Sequence, residues 1–197
     1  MADSGVDTGV HARGDPNPDP GVDEITAWAL TARGGDPVAA AAFIRATQTE
    51  VWRFVAALVD RASADDLTQE TYLRAFRALS SFQARASART WLLGIARRVC
   101  ADHIRALVRT RRLVTRLATV EPSPASELVD LSTAVTATEL LNRLGGTYRA
   151  AFVLTQVLGL SYDEAAQTLG VPIGTIRSRV ARARSELLAD VQRSLAV

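Results

Sequence analysis

The sequence contains no lysine, so all 23 of its basic residues are arginine. That usage is expected of a GC-rich genome, and arginine also suits two-pronged contacts to phosphate and guanine. Cysteine occurs once, at Cys100, which excludes a disulfide framework and makes the cytoplasm the expected compartment. No apolar run is long enough to span a bilayer, and the N-terminus lacks a signal-peptide pattern. There is no glycine-rich phosphate loop, no Ser–His–acid set and no pair of carboxylates with a plausible pocket. Cys100 and His103 are three apart on one helix face, but two ligands do not make a zinc site. No catalytic residue, metal or cofactor is therefore expected. Strand-like alternation of useful length and internal repeats are also missing, so the chain reads all-α.

What is present is unevenly placed charge and clear helix punctuation. The formal net charge is only +2. Asp3, Asp7, Asp15, Asp19, Asp23 and Glu24 make the start acidic, and residues 1–21 are expected to be a disordered acidic tail. From Arg85 to Arg116 there are nine arginines and one acid, Asp102, which is an electrostatic footprint for phosphate. Asp36 and Pro37 open a strong helix with Ala41, Ile44, Val51, Trp52, Val55 and Leu58 at helical spacing. Ser63 is placed to cap the next helix, ADDLTQETYLRAFRAL. Ser80 to Ser87 reads as a loop, and Ala88 to about Val108 as an arginine-rich helix with Trp91, Leu92, Ile95, Val99 and Ile104 inward. Residues 110–132, with an arginine cluster and then EPSPAS, form the expected linker. The resulting division is a first helical domain at 22–109 and a second at 133–197.

The second domain carries the most specific local pattern, LSYDEAAQTLGVPIGTIRSRVARAR, from Leu160 to Arg184. Ser161 and Glu164 have the spacing of a capping box. Gly170 can end the first helix in the left-handed conformation, and Pro172 can open the second. Ile176, Val180 and Leu187 face inward, while Arg177, Arg179, Arg182 and Arg184 line the other side. A short helix, a glycine-containing turn and an arginine-faced helix make a helix-turn-helix, whose second helix enters the DNA major groove. An ordinary helical hairpin with a solvated basic face is the plainer alternative.

Together with SADDLTQETYLRAFRALSSFQARASARTWLLGIARRVCADHIR earlier in the chain, this stretch resembles the group IV, or extracytoplasmic-function (ECF), sigma factors of bacterial RNA polymerase. They belong to the sigma-70 family, and the wording is nearest to the SigC-type members. The resemblance runs from about Val22 to Leu195. It implies two small helical domains of sigma-2 and sigma-4 type, joined by a flexible linker, the second containing the helix-turn-helix. It also implies an alternative sigma factor, not an enzyme, that binds core RNA polymerase through its β and β′ subunits. Such a factor directs promoter-specific transcription initiation in the cytoplasm through −10 and −35 recognition. An anti-sigma factor is a further partner that many members have. A stand-alone helix-turn-helix transcriptional regulator is the alternative, in which the DDLTQET block would have no job.

The resemblance distributes the site residues. Asp65, Asp66, Gln69, Glu70, Leu73 and Phe76 match the polymerase-binding positions, although acids at a helix start are also favoured by the helix dipole. Phe82, Arg85, Ser87, Arg89, Trp91, Arg97, Arg98 and Asp102 match the −10 region, where a base that has left the stack needs a pocket, a stacking surface and cations. Helical spacing makes Trp91 a core residue more often than a stacking platform, and many members have Asn where Arg98 stands. Arg177 and Ser178 match positions that read −35 bases, with Ala181 able to touch a thymine methyl. Thr175, Arg179, Arg182 and Arg184 are better placed for phosphate.

Overall fold

A computed structural model describes residues 21–117 and 137–195; the expected acidic tail and most of the expected linker lie outside the described residues. The described residues form eight α-helices: α1 (Gly21–Arg33), α2 (Pro37–Leu58), α3 (Ala64–Ala78), α4 (Ala88–Leu117), α5 (Ala137–Arg143), α6 (Gly146–Phe152), α7 (Tyr162–Leu169) and α8 (Ile173–Leu195). No strand occurs among the described residues.

The first unit, α1 to α4, is built around α2. Asp36 caps that helix by accepting from the Val38 and Ala39 amides at 2.7 and 3.3 Å, with Pro37 where a missing N–H costs nothing. Its buried line runs through Ala39, Phe43, Thr47, Val51, Phe54 and Val55. This differs by one position from the expected stripe: Phe43 is fully buried and Ile44 half-buried. The alanine run before them offers no hydrophobic contrast from which to set the phase. Burying a side chain of the size of Phe43 contributes about 1.5–3 kcal/mol. Thr47 is tolerated in this core because its hydroxyl donates to the Phe43 carbonyl and meets the Tyr72 hydroxyl, each at 2.7 Å. Burial pushes the Tyr72 phenol up to about 12.

Two local expectations are corrected. Ser63 precedes α3 but its side chain caps nothing there. Asp60 instead closes the intervening turn, accepting from the Ser63 amide at 2.9 Å and the Ser63 hydroxyl at 3.0 Å. The arginine-rich helix also continues past Val108 to Leu117, so the first part of the expected linker is helical. Residues 109–117 contain no proline or glycine to stop it.

The second unit, α5 to α8, packs onto the first. Buried apolar side chains of both form one continuous cluster, in which Leu92 and Leu93 of α4 join Leu154, Leu158, Leu160 and Leu169. A π-helical turn at Val153–Val157 follows α6 and leads into the helix-turn-helix.

Candidate nucleic-acid interface

The helix-turn-helix forms as its residues dictate. The Ser161 hydroxyl accepts from the Glu164 amide at 3.2 Å, and the Glu164 carboxylate accepts from the Ser161 amide at 2.8 Å. Gly170 ends α7 at φ +63°, a conformation costly for any residue with a Cβ. Ile176, Val180 and Ala183 of α8 are buried, which turns Arg177, Ser178, Ala181, Arg182 and Arg184 outward. Arg179 and Thr175 are half-buried.

The exposed α8 side chains are not equivalent. Arg177 makes no hydrogen bond or ion pair among the described residues. Ser178 donates to the Thr175 carbonyl at 3.0 Å. Arg182 is paired with Glu186 at 3.0 Å, which raises its pKa. Arg184 donates to the Gln156 side chain at 2.6 Å and so ties α8 back to the π-helical turn.

Of the residues expected at −10, Phe82, Arg85, Trp91, Arg97 and Arg98 line one cavity beside the first turns of α4, and Ser87, Arg89 and Asp102 do not. Ser87 caps that helix, accepting from the Thr90 amide at 3.1 Å. Phe82 is 3% exposed and lies against Trp91 with ring centroids 4.8 Å apart. The Phe82 carbonyl accepts from Arg33 at 2.8 Å, and Ala84 beyond it sits at φ +52°. A strained non-glycine residue beside a cavity is where a functional loop is commonly found. The cavity, of 430 Å³, is lined by Phe82, Arg85, Trp91, Arg97 and Arg98. Gln167, Thr168 and Gly170 line it too, so α7 borders the space.

Two of the expected −10 residues have other partners here. Arg89 grips Glu50 through two hydrogen bonds of 2.6 and 2.7 Å and also donates to the Leu158 carbonyl at 2.6 Å. Asp102 accepts from Arg74 at 2.6 Å and Arg105 at 2.5 Å, and these guanidinium groups hold its carboxyl below the usual range. Arg74 and Glu50 were not among the expected site residues. The i,i+4 spacing of Glu70 and Arg74 signals their own 2.7 Å pair, but nothing local signals the bridge to α4.

On α3, Asp65, Asp66, Gln69 and Leu73 are exposed, while Glu70 and Phe76 are half-buried. Leu73 is 54% exposed, an apolar side chain with no cover. Asp65 accepts from the Trp52 indole at 2.7 Å. Among the described residues no group of three or more His, Cys, Asp and Glu is arranged to hold a metal ion. No helix there is long and apolar enough to cross a membrane.

Residues 43–119 match the Sigma-70 region 2 family, and residues 135–187 match Sigma-70, region 4. The chain is 55% identical over 173 residues to the ECF RNA polymerase sigma factor SigC of Mycobacterium tuberculosis, spanning 85% of this chain and 91% of that protein. It is 33% identical over 174 residues to the ECF RNA polymerase sigma factor SigE of Mycolicibacterium smegmatis, spanning 84% and 67%. Among solved structures, sigma factor RpoE in complex with the anti-sigma factor NepR from Bartonella quintana is 28% identical, with a TM-score of 0.62 over 76% of this chain and 94% of that one. The fold is also that of CnrH, solved in complex with the cytosolic domain of CnrY, at 23% identity and a TM-score of 0.65 over 85% and 97%. The chain belongs to the extracytoplasmic-function sigma factors of the sigma-70 family.

Proposed function

We propose a division of labour between the two units of this alternative sigma factor, which binds core RNA polymerase and directs promoter-specific transcription initiation. The reading rests on one combination. A cavity lined by Phe82, Trp91, Arg85, Arg97 and Arg98 shares a chain with a capped helix-turn-helix that presents Arg177, exposed and unpaired among the described residues.

The cavity beside Trp91 takes a base of the −10 element after it leaves the stack, and Arg97 and Arg98 hold the adjoining phosphates. Arg177 and Ser178 read −35 base edges, while Arg179, Arg182 and Arg184 set the register on phosphate. On α3, Asp66, Gln69, Glu70, Leu73 and Phe76 meet the polymerase, combining acceptors for basic groups with uncovered apolar area. Because α7 borders the −10 cavity, a strand enters it only once the two units separate. The bond chemistry of transcription belongs to the polymerase, and the cytoplasm is the site of action. An anti-sigma factor, the partner seen with the RpoE structure, fits as an inhibitor that favours an unloaded form.

The test is reconstitution with core polymerase on a cognate promoter. Arg97→Ala combined with Arg98→Ala should leave core binding intact and remove permanganate-reactive thymines near −10. Normal opening by that variant would show that the cavity's arginines do not take part in melting.

A further inference from the structure

The start of α3 lacks the cap its sequence advertises, since the Ser63 side chain makes no bond to it. Another contact holds it in place. Trp52, in the last turns of α2, donates its indole N–H to Asp65 Oδ1 at 2.7 Å, across a sequence gap of 13 residues. The same indole carries the Arg61 guanidinium over its ring, 5.5 Å from the centroid. Arg61 is therefore held by a π face, and it forms no ion pair with Asp65 or Asp66. Asp66, the next residue, is exposed and makes no hydrogen bond or ion pair among the described residues.

We infer that the two adjacent aspartates have different jobs: Asp65 is the anchor by which Trp52 positions the start of α3, and Asp66 is the carboxylate presented to the polymerase. Trp52 is thus a positioning residue for polymerase binding. The inference rests on the reading of α3 as the polymerase face. Adjacent helical residues point about 100° apart, so fixing one carboxylate against α2 turns its neighbour outward. A neutral acceptor serves as the anchor as well as a charged one does, because the indole needs only a lone pair. The contact residue, in contrast, needs its charge.

Charge and acceptor capacity can be separated by substitution. The full chain is titrated with core polymerase for wild type, Asp65→Ala, Asp65→Asn, Trp52→Phe, the Trp52→Phe/Asp65→Ala pair and Asp66→Asn, with a thermal melt of each. Losing the anchoring bond should weaken binding about three- to tenfold in Asp65→Ala and in Trp52→Phe. The double variant should be no weaker than the weaker single, since both remove one bond. Asp65→Asn should rescue most of the loss, and Asp66→Asn should weaken binding at least as much as Asp65→Ala. If Asp65→Asn binds no better than Asp65→Ala, Asp65 acts through its charge and the positioning role is wrong. Wild-type affinity in Trp52→Phe also overturns it. Wild-type affinity in Asp66→Asn overturns the reading of α3 as the polymerase face, and the positioning role with it.

Discussion

Arg89 and Leu158 join the two halves of the protein. The Arg89 guanidinium, held from behind by Glu50, donates to the Leu158 carbonyl at 2.6 Å across 69 positions of sequence. Its side chain is 15% exposed and that of Glu50 30% exposed, so the pair is shielded from water. A residue expected to touch promoter phosphate thus serves, in this arrangement, as a link between units.

Removing Arg89 should therefore loosen the contact between units. Arg89→Ala leaves the Glu50 charge and the Leu158 carbonyl without a donor. The cost expected is about 3 kcal/mol, the low end of the range for removing one partner of a buried pair. Spin labels on α3 and α8 should report a longer and broader distance distribution in the variant. An unchanged distribution would mean that the apolar cluster and the Arg149 bond to the Ala57 carbonyl hold the halves together without Arg89.

Arg177 and Arg182 should give different phenotypes from the same chemical change. Arg177 has no partner among the described residues, whereas Arg182 is tied to Glu186. Arg177→Ala in holoenzyme should flatten preference at one −35 position, a loss of about 1–3 kcal/mol of discrimination. Arg182→Ala should weaken all sequences alike and lower the salt slope by about one unit. A promoter library randomised across −35, bound at two salt concentrations, separates the two. An even loss of affinity in Arg177→Ala, with every base preference kept, would remove it from direct readout.

Cys100 should be chemically silent in the folded protein. It is 1% exposed, and burial pushes its thiol up to about 12. The fold favours the neutral thiol, so this contribution to stability is complete below the unfolded pKa and is lost as pH rises through the folded value. The thiolate is the reactive form. At pH 8 a thiol reagent should label Cys100 only after denaturant is added, with the midpoint of labelling following the unfolding curve. Rapid labelling under native conditions would contradict the burial.

The parts of this fold that could be read from residues alone are those made by neighbours. Ser161 with Glu164, Gly170 before Pro172, and Asp36 before Pro37 all act within a turn of helix, and each appears as its spacing predicts. The alternation of apolar and arginine positions likewise set which face of α8 turns outward. The block around DDLTQET and the capped helix-turn-helix, in that order, were enough to point to the family.

Only the tertiary structure decided which partner each charged side chain takes. Arg89 has partners 39 and 69 positions away, Arg74 reaches Asp102 across 28, and Trp52 finds Asp65 across 13. An arginine can donate to any acceptor that packing brings within reach, so its type and spacing carry no record of which one that will be. The same holds for Ser63, which has the composition of a cap but whose hydroxyl donates to Asp60 across the preceding turn, leaving the start of α3 without a side-chain cap. Local hydrogen bonds are encoded by residues a turn apart. Contacts between helices depend on how far each helix runs and on the face it buries, and those are settled only when the whole core closes.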